Sequence, residues 1–221
     1  MDIKHKTALR KAALFQSIND DDYENLISCI SPQIKHHKKN EILLLTGDFV
    51  NTIGIVLSGT ANAYLEKIDG NRTIMSNLAP MSVYGEILVS TRTHKSPVTI
   101  YATTDVTAAS IEYTKVCSVC EAACAAHRTF LENLLKAIGD KYFLLFDRIN
   151  ILREKKLRAR IITYLHTLSA KCGSGIVSLP FTKTMLAEYL LVNRSALSRE
   201  MTRMVSDGII KVSGRTVELL D

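Results

Sequence analysis

The apolar positions of the chain change their period three times. Between residues 7 and 30, Leu9, Leu14 and Phe15 and then Leu26, Ile27 and Ile30 are spaced as on short helices, the second opened by Asp20 to Asp22. Carboxylates there suit the positive end of a helix dipole, so this stretch reads as packing. From Ile34 to about Tyr113 the runs shorten: Glu41 to Leu45, Thr52 to Leu57, Ala61 to Ile68, Thr73 to Leu78, Val98 to Thr103 and Thr107 to Glu112. Gly47-Asp48, Ser58-Gly59 and Asp69-Gly70 punctuate them, glycine beside aspartate or serine supplying the positive φ of tight turns. Many short strands at regular spacing predict an antiparallel barrel or jelly roll. Leu131, Leu135, Ile138, Tyr142, Leu145, Ile149 and Leu152 then recur at alternating steps of four and three, a heptad seam about 33 Å long at 1.5 Å per residue. That exceeds what one groove of a small monomer would cover. It predicts a parallel coiled-coil dimer through Leu135, Ile138, Tyr142, Leu145, Ile149 and Leu152.

The last third organises the rest. Thr182 to Tyr189 reads as a two-turn helix capped by the Thr182 hydroxyl, followed by a break at Leu190 to Val192. Asn193 is placed to cap a second helix, in which Leu197, Met201 and Met204 make one buried stripe. Arg194, Ser195, Ser198 and Arg199 then lie on its exposed face near the N-terminal end. Asp207-Gly208 closes that helix, and Ile209 to Val212, Ser213-Gly214 and Thr216 to Leu219 read as a hairpin. Together these predict a winged helix-turn-helix whose arginines reach guanine edges in a major groove. The candidate DNA-binding residues are Thr182, Asn193, Arg194, Ser195, Ser198, Arg199 and Arg203. One feature departs from the motif: Leu191 occupies the turn where glycine is usual.

Charge sharpens the picture. The chain carries a net +6, and residues 153–221 hold 12 lysines and arginines against six aspartates and glutamates, while residues 1–152 hold 16 of each kind. The whole excess lies in the helix-turn-helix segment, as phosphate contacts require. An apolar content of 47% is enough for proper cores in one large or two modest domains. No apolar run approaches the roughly 18 residues that span a bilayer, and no signal-peptide pattern opens the chain, so no membrane partner and a cytoplasmic location are expected. Five cysteines, an odd number, argue for free thiols or ligands rather than a disulfide framework. No nucleophile–base pair, phosphate loop or carboxylate pair suggests an enzyme.

Gly47-Asp48, Ile55-Val56-Leu57-Ser58-Gly59 and Gly85-Glu86 resemble the cyclic-nucleotide-binding β-roll. With the helix-turn-helix, the chain resembles the CRP/FNR superfamily of bacterial transcription regulators over nearly all of its length, with the elements in the family's order. The resemblance implies an α+β fold: an N-terminal antiparallel β-roll (jelly roll) effector domain over residues 1–128, a long dimerisation helix over 129–153 and a winged helix-turn-helix over 154–221. It also implies a homodimer on double-stranded DNA with a roughly palindromic site, and RNA polymerase as a further partner. The charged stretch Arg153 to Arg160 would be the joint between sensor and reader.

The family's cyclic-nucleotide cassette pairs Gly-Glu, for the ribose hydroxyl, with Arg-Ser about ten residues on, for the phosphate. Here Gly85, Glu86 and Ser96 remain, but Lys95 stands where the arginine should be. An ammonium lacks the two-donor planar fork. Leu145 and Phe146 align with the adenine-contacting hydroxyls, and together these departures disfavour cyclic AMP. The competing signal is Cys117, Cys120, Cys124 and His127, which at offsets 0, 3, 7 and 10 would share one helix face. Thiolates and imidazole suit zinc, an iron–sulfur cluster or haem, but four such ligands along one helix span about 15 Å and cannot all reach one mononuclear ion. Thiol oxidation and plain packing are the other readings of these residues. His36-His37 before Lys38-Lys39 reads as a solvated strand edge. The alternative to a DNA regulator is a metal- or ligand-binding module whose basic domain meets RNA or protein.

Overall fold

The computed structural model describes residues 1–66, 72–118 and 125–220, which form two units, Met1–Asp140 and Lys141–Asp221. The first opens with helix α1 (Ile3–Leu9), a 3-10 turn (Ala13–Phe15) and helix α2 (Asp20–Ile30). Asn19 starts α2 by accepting the Asp22 N–H on its side chain at 2.8 Å, with three aspartates in the first turn. The strands follow: β1 (Gln33–His37), β2 (Ile42–Leu44), β3 (Thr52–Ser58), β4 (Ala61–Glu66), β5 (Arg72–Leu78), β6 (Val83–Tyr84), then helix α3 (Glu86–Val89), β7 (Thr99–Ala102) and β8 (Val106–Glu112). Helix α4 (Tyr113–Cys117) precedes the 29-residue α5 (Ala125–Arg153).

All strand pairs of the roll are antiparallel, in two sheets ordered β1-β8-β3-β6 and β2-β7-β4-β5. Strand β3 explains why its sequence reads as a continuous apolar run. Ile53, Ile55 and Leu57 face a core shared with α1, α2 and the first half of α5, where Phe130 and Leu134 are buried. Val56 faces the second core, between the sheets, with Ala61, Ala63, Ile100 and Ala108. A strand covered on both faces loses polar alternation. Gly54 lies under the Tyr84 ring, where a Cβ would sit 2.0 Å from a ring carbon, so no other residue fits without moving the tyrosine. The strand ranges predicted from sequence hold to within two residues among the described residues; β1 lies at a sheet edge with His36 exposed, but His37 is half-buried rather than solvated. The turn at Asp69-Gly70 lies outside the described residues.

The second unit holds the C-terminal part of α5, then α6 (Leu157–Cys172), β9 (Ile176–Ser178), α7 (Lys183–Tyr189), α8 (Arg194–Ser206), β10 (Ile210–Ser213) and β11 (Thr216–Leu219). The sheet runs β10-β11-β9, all antiparallel. Its core joins Ile151 of α5, Ile161 and Leu165 of α6, Leu186 and Ala187 of α7, and Leu197, Met201 and Met204 of α8. Gly214, at φ +59°, takes the first central position of the two-residue hairpin turn, where a type II′ turn needs a positive φ. Helix α6 runs through Lys171 and Cys172 and is closed by a left-handed Gly173.

Candidate nucleic-acid interface and effector residues

The two short helices of the second unit form as their sequence suggests, with one difference. Thr182 caps α7, its hydroxyl accepting the Met185 N–H at 3.3 Å. Asn193 stands at the N-cap of α8, but its side chain makes no capping bond, so the first-turn N–H groups of α8 lack a side-chain cap. With Leu197, Met201 and Met204 inward, Arg194, Ser195, Arg199, Thr202 and Arg203 are exposed, and Ser198 is half-buried beside them. Arg194, Ser195 and Arg199 make no side-chain bond or ion pair among the described residues. Arg203 lies 3.8 Å from Glu200 one turn back. Sequence reasoning passed over Thr202, which falls in the middle of this face and turns its hydroxyl onto the Ser198 carbonyl at 3.0 Å. Helical spacing from Ser195 and Ser198 would have found it.

The turn between the helices carries its departure openly. Leu191 adopts φ +54°, the left-handed conformation that a glycine would take without strain, and its side chain is 57% exposed. The wing arginine is engaged within the unit: Arg215 donates through both Nε and Nη2 to the Leu179 carbonyl, at 3.2 and 2.9 Å. The charged joint is likewise partly built in. Arg160 donates to the Glu154 and Leu190 carbonyls, and Arg158 pairs with Glu200 at 2.6 Å and Asp207 at 2.7 Å.

In the roll, Gly85 at φ +80° turns the chain so that Glu86, the first residue of α3, enters the interior with 1% exposure. A Cβ on Gly85 would lie 2.7 Å from the Thr52 carbonyl oxygen. His94, Lys95 and Ser96 are strapped to the Gly47–Val50 turn. Gly47 N–H donates to the Ser96 carbonyl, Ser96 N–H to that of Asp48, and Val50 N–H to that of His94. Lys95 is exposed and makes no ion pair among the described residues, whereas the Ser96 hydroxyl is buried and donates to the Val98 carbonyl at 2.7 Å. Three nearby aromatic residues were not singled out from the sequence. Phe49 is 67% exposed and stacks on the His94 ring at 5.2 Å, and burial pushes the Tyr84 phenol up to about 12.

Among the described residues, Cys117 and His127 do not share one helix face. Helix α4 ends at Cys117, Ser118 is extended, and His127 lies buried in α5, so Cys117 and His127 stand on different helices. The period-based reading missed this break because apolar and small residues continue across it. Cys120 and Cys124 lie outside the described residues. Among the described residues no three His, Cys, Asp or Glu side chains gather closely enough to hold a metal ion. Along α5, Leu135, Tyr142, Leu145 and Ile149 of the heptad seam are exposed, while Ile138 packs partly on the roll core and Leu152 is half-buried. Phe143, Leu144 and Phe146 are exposed as well, so from Tyr142 to Phe146 the helix is apolar on every side.

Two family models match the chain: the cyclic nucleotide-binding domain over residues 34–123 and the Crp-like helix-turn-helix domain over residues 159–221. Among curated relatives, the transcriptional activator protein FnrA of Stutzerimonas stutzeri is 24% identical over 189 residues, covering 83% of this chain and 75% of that one. The anaerobic regulatory protein of Haemophilus influenzae is 22% identical over 214 residues, covering 93% and 79%. Among solved structures, a CooA mutant from Carboxydothermus hydrogenoformans aligns with a TM-score of 0.69 at 21% identity, covering 96% of this chain and 94% of that one. FixK2 from Bradyrhizobium japonicum aligns at 0.57 and 18%, covering 86% and 93%. These structural likenesses concern the fold.

Proposed function

The chain belongs to the CRP/FNR superfamily and is a DNA-binding transcription regulator of that type, and from this premise we propose that it acts as a homodimer whose paired α8 helices read a roughly palindromic duplex site. The observation that carries the reading is the outward face of α8: Arg194, Ser195 and Arg199 are exposed and unengaged among the described residues, while the opposite stripe is buried. In a two-fold dimer two such faces enter successive major grooves, about 34 Å apart. Arg194, Arg199 and Arg203 serve base or phosphate contact, Ser195 and Ser198 are short-range donors, and Thr182 and Asn193 stand at the helix N-termini, where they meet the DNA backbone. The dimer forms through Leu135, Ile138, Tyr142, Leu145, Ile149 and Leu152. The protein works in the cytoplasm, is not an enzyme, and meets RNA polymerase at its promoters. Residues 1–128 form the effector domain, 129–153 the dimerisation helix and 154–221 the reader.

The signal enters through the roll or the cysteine segment and shifts the α5 seam, which re-aims the two α8 helices. Cyclic AMP is not that signal. Lys95 replaces the phosphate-pairing arginine, the Ser96 hydroxyl is occupied by Val98, and Leu145 and Phe146 offer no hydrogen bonds to a base. Gly85, Glu86 and Lys95 remain the residues around which a different small molecule would bind. A redox or metal signal would use Cys117, Cys120, Cys124 or His127. Cys117 and His127 alone do not amount to a metal site, so no step is assigned to zinc, haem or an iron–sulfur cluster.

Selection of the full chain against a random duplex library tests the reading, and enrichment of an inverted repeat is expected. Arg199→Ala should then cost about 1–3 kcal/mol on the selected site if the contact is bidentate. An equal loss on selected and random DNA would remove base reading and leave phosphate anchoring. No enrichment of any duplex, with retention of RNA or protein instead, would favour a module whose basic domain serves another partner.

A further inference from the structure

Arg158 is the second residue of α6, and its guanidinium spans two acidic residues of the helix pair's outer member. Nε donates to Glu200 Oε1 at 2.6 Å and Nη1 lies 2.7 Å from Asp207 Oδ2. Glu200 lies in the middle of α8 and Asp207 is its C-cap, seven residues and two turns further on. One planar group thus fixes α8 at two points along its axis, against both rotation and tilt, which an apolar stripe alone resists poorly. The Glu200 side chain is only 16% exposed, so this end of the clamp is not an ordinary surface ion pair. Two residues further along α6, Arg160 donates to the Leu190 carbonyl and ties the same first turn to the bend between α7 and α8.

We propose that Arg158 is a positioning residue for DNA reading: it does not touch DNA but sets the angle at which α8 presents Ser195, Ser198, Arg199 and Thr202. The proposal rests on the assignment of α8 as the reading helix. Its chemistry needs an arginine, because a lysine ammonium cannot hold two carboxylates two turns apart in one planar arrangement. Arg158 follows the end of α5 by five residues, so a change in α5 reaches α8 through the same guanidinium.

The test uses the full chain and the duplex that wild type enriches from a random library. Binding of Arg158→Ala, Arg158→Lys, Glu200→Gln and the Arg158→Ala/Glu200→Gln pair is measured on that duplex and on random DNA across a salt series, with folding followed by circular dichroism. For Arg158→Ala a loss of roughly tenfold or more is expected on the selected duplex, with random-DNA affinity and the salt dependence unchanged. Arg158→Lys should recover only part of that affinity, and Glu200→Gln should add little once Arg158 is gone. Loss on both duplexes with a salt slope lower by about one would make Arg158 a phosphate contact and overturn the proposal. Unchanged binding by folded Arg158→Ala would overturn it too. If Arg158→Ala does not fold, Glu200→Gln alone decides: retained discrimination between the two duplexes sinks the clamp. A wild-type chain that enriches no duplex fails on the reading helix itself, a different outcome from any of these.

Discussion

Tyr164 offers a sharp test of the packing in the second unit. Its side chain is 3% exposed within the core of α6, α7 and α8, its ring is 5.6 Å from that of Tyr189, and its hydroxyl has no hydrogen-bond partner among the described residues. Burial, with a smaller contribution from Tyr189, raises the phenol well above its ordinary range, so the hydroxyl stays protonated at any working pH. A buried polar group without a partner costs about 1–3 kcal/mol. Tyr164→Phe keeps the ring and removes that cost, leaving a void smaller than a methyl group, for which about 1 kcal/mol is a ceiling. The net expectation is a gain of about 1 kcal/mol. In a unit of this size that raises the unfolding midpoint by about 4–8 °C. Differential scanning calorimetry of the full chain, with hydrogen exchange of the α6 amides to assign the transition, makes the measurement. A fall of 1 kcal/mol or more would refute the reasoning, because it would mean that the hydroxyl is bonded in solution, through an ordered water, and that the core is partly wet.

Leu191→Gly relieves a left-handed leucine, worth about 1–2 kcal/mol, against about 0.5–1 kcal/mol of added chain entropy in the unfolded state, so chemical denaturation should show the variant equal to or up to about 1.5 kcal/mol more stable than wild type. A clear destabilisation would show that the exposed side chain packs on something. His37 titrates below its ordinary value, first because of burial, with Lys35 and His36 opposing the Glu41 carboxylate that favours its charged form. The unfolded chain therefore binds the proton more readily than the folded one. Stability supplied by neutral His37 is complete above about pH 6.5 and falls as the pH drops below it. Denaturation midpoints measured between pH 5 and 8 should lose part of that slope in His37→Gln, and an unchanged slope would acquit the residue.

Much of this fold can be read from residue order because local and long-range signals agree. Thr182, the Leu197–Met201–Met204 stripe and Gly208 mark the helix-turn-helix by capping, period and positive φ together. The strand runs stop at glycines with positive φ, and β3 betrays its double burial by losing alternation. Other features depend on what the chain brings together. Nothing near Arg158 in sequence announces Glu200 and Asp207, which lie more than forty residues away. Residue type alone makes Asn193 a capping residue, but in the fold its side chain makes no capping bond. The break after Cys117 is hidden because the alanines beyond Ser118 favour helix and no glycine or proline marks a stop. The stack of Phe49 on His94 arises from a contact between two turns that no period records.

The apolar girdle from Tyr142 to Phe146 has a consequence for dosage. A helix that presents aromatic and leucine side chains on every side to water is poorly soluble as a single copy, so assembly and integrity of the chain depend on its own concentration. For a reader that acts as a pair, occupancy of a duplex site by protomers in dilute exchange rises with the square of their concentration. A twofold change in synthesis then has the leverage of a fourfold one. Ligand, redox state and gene expression would all converge on the same helix.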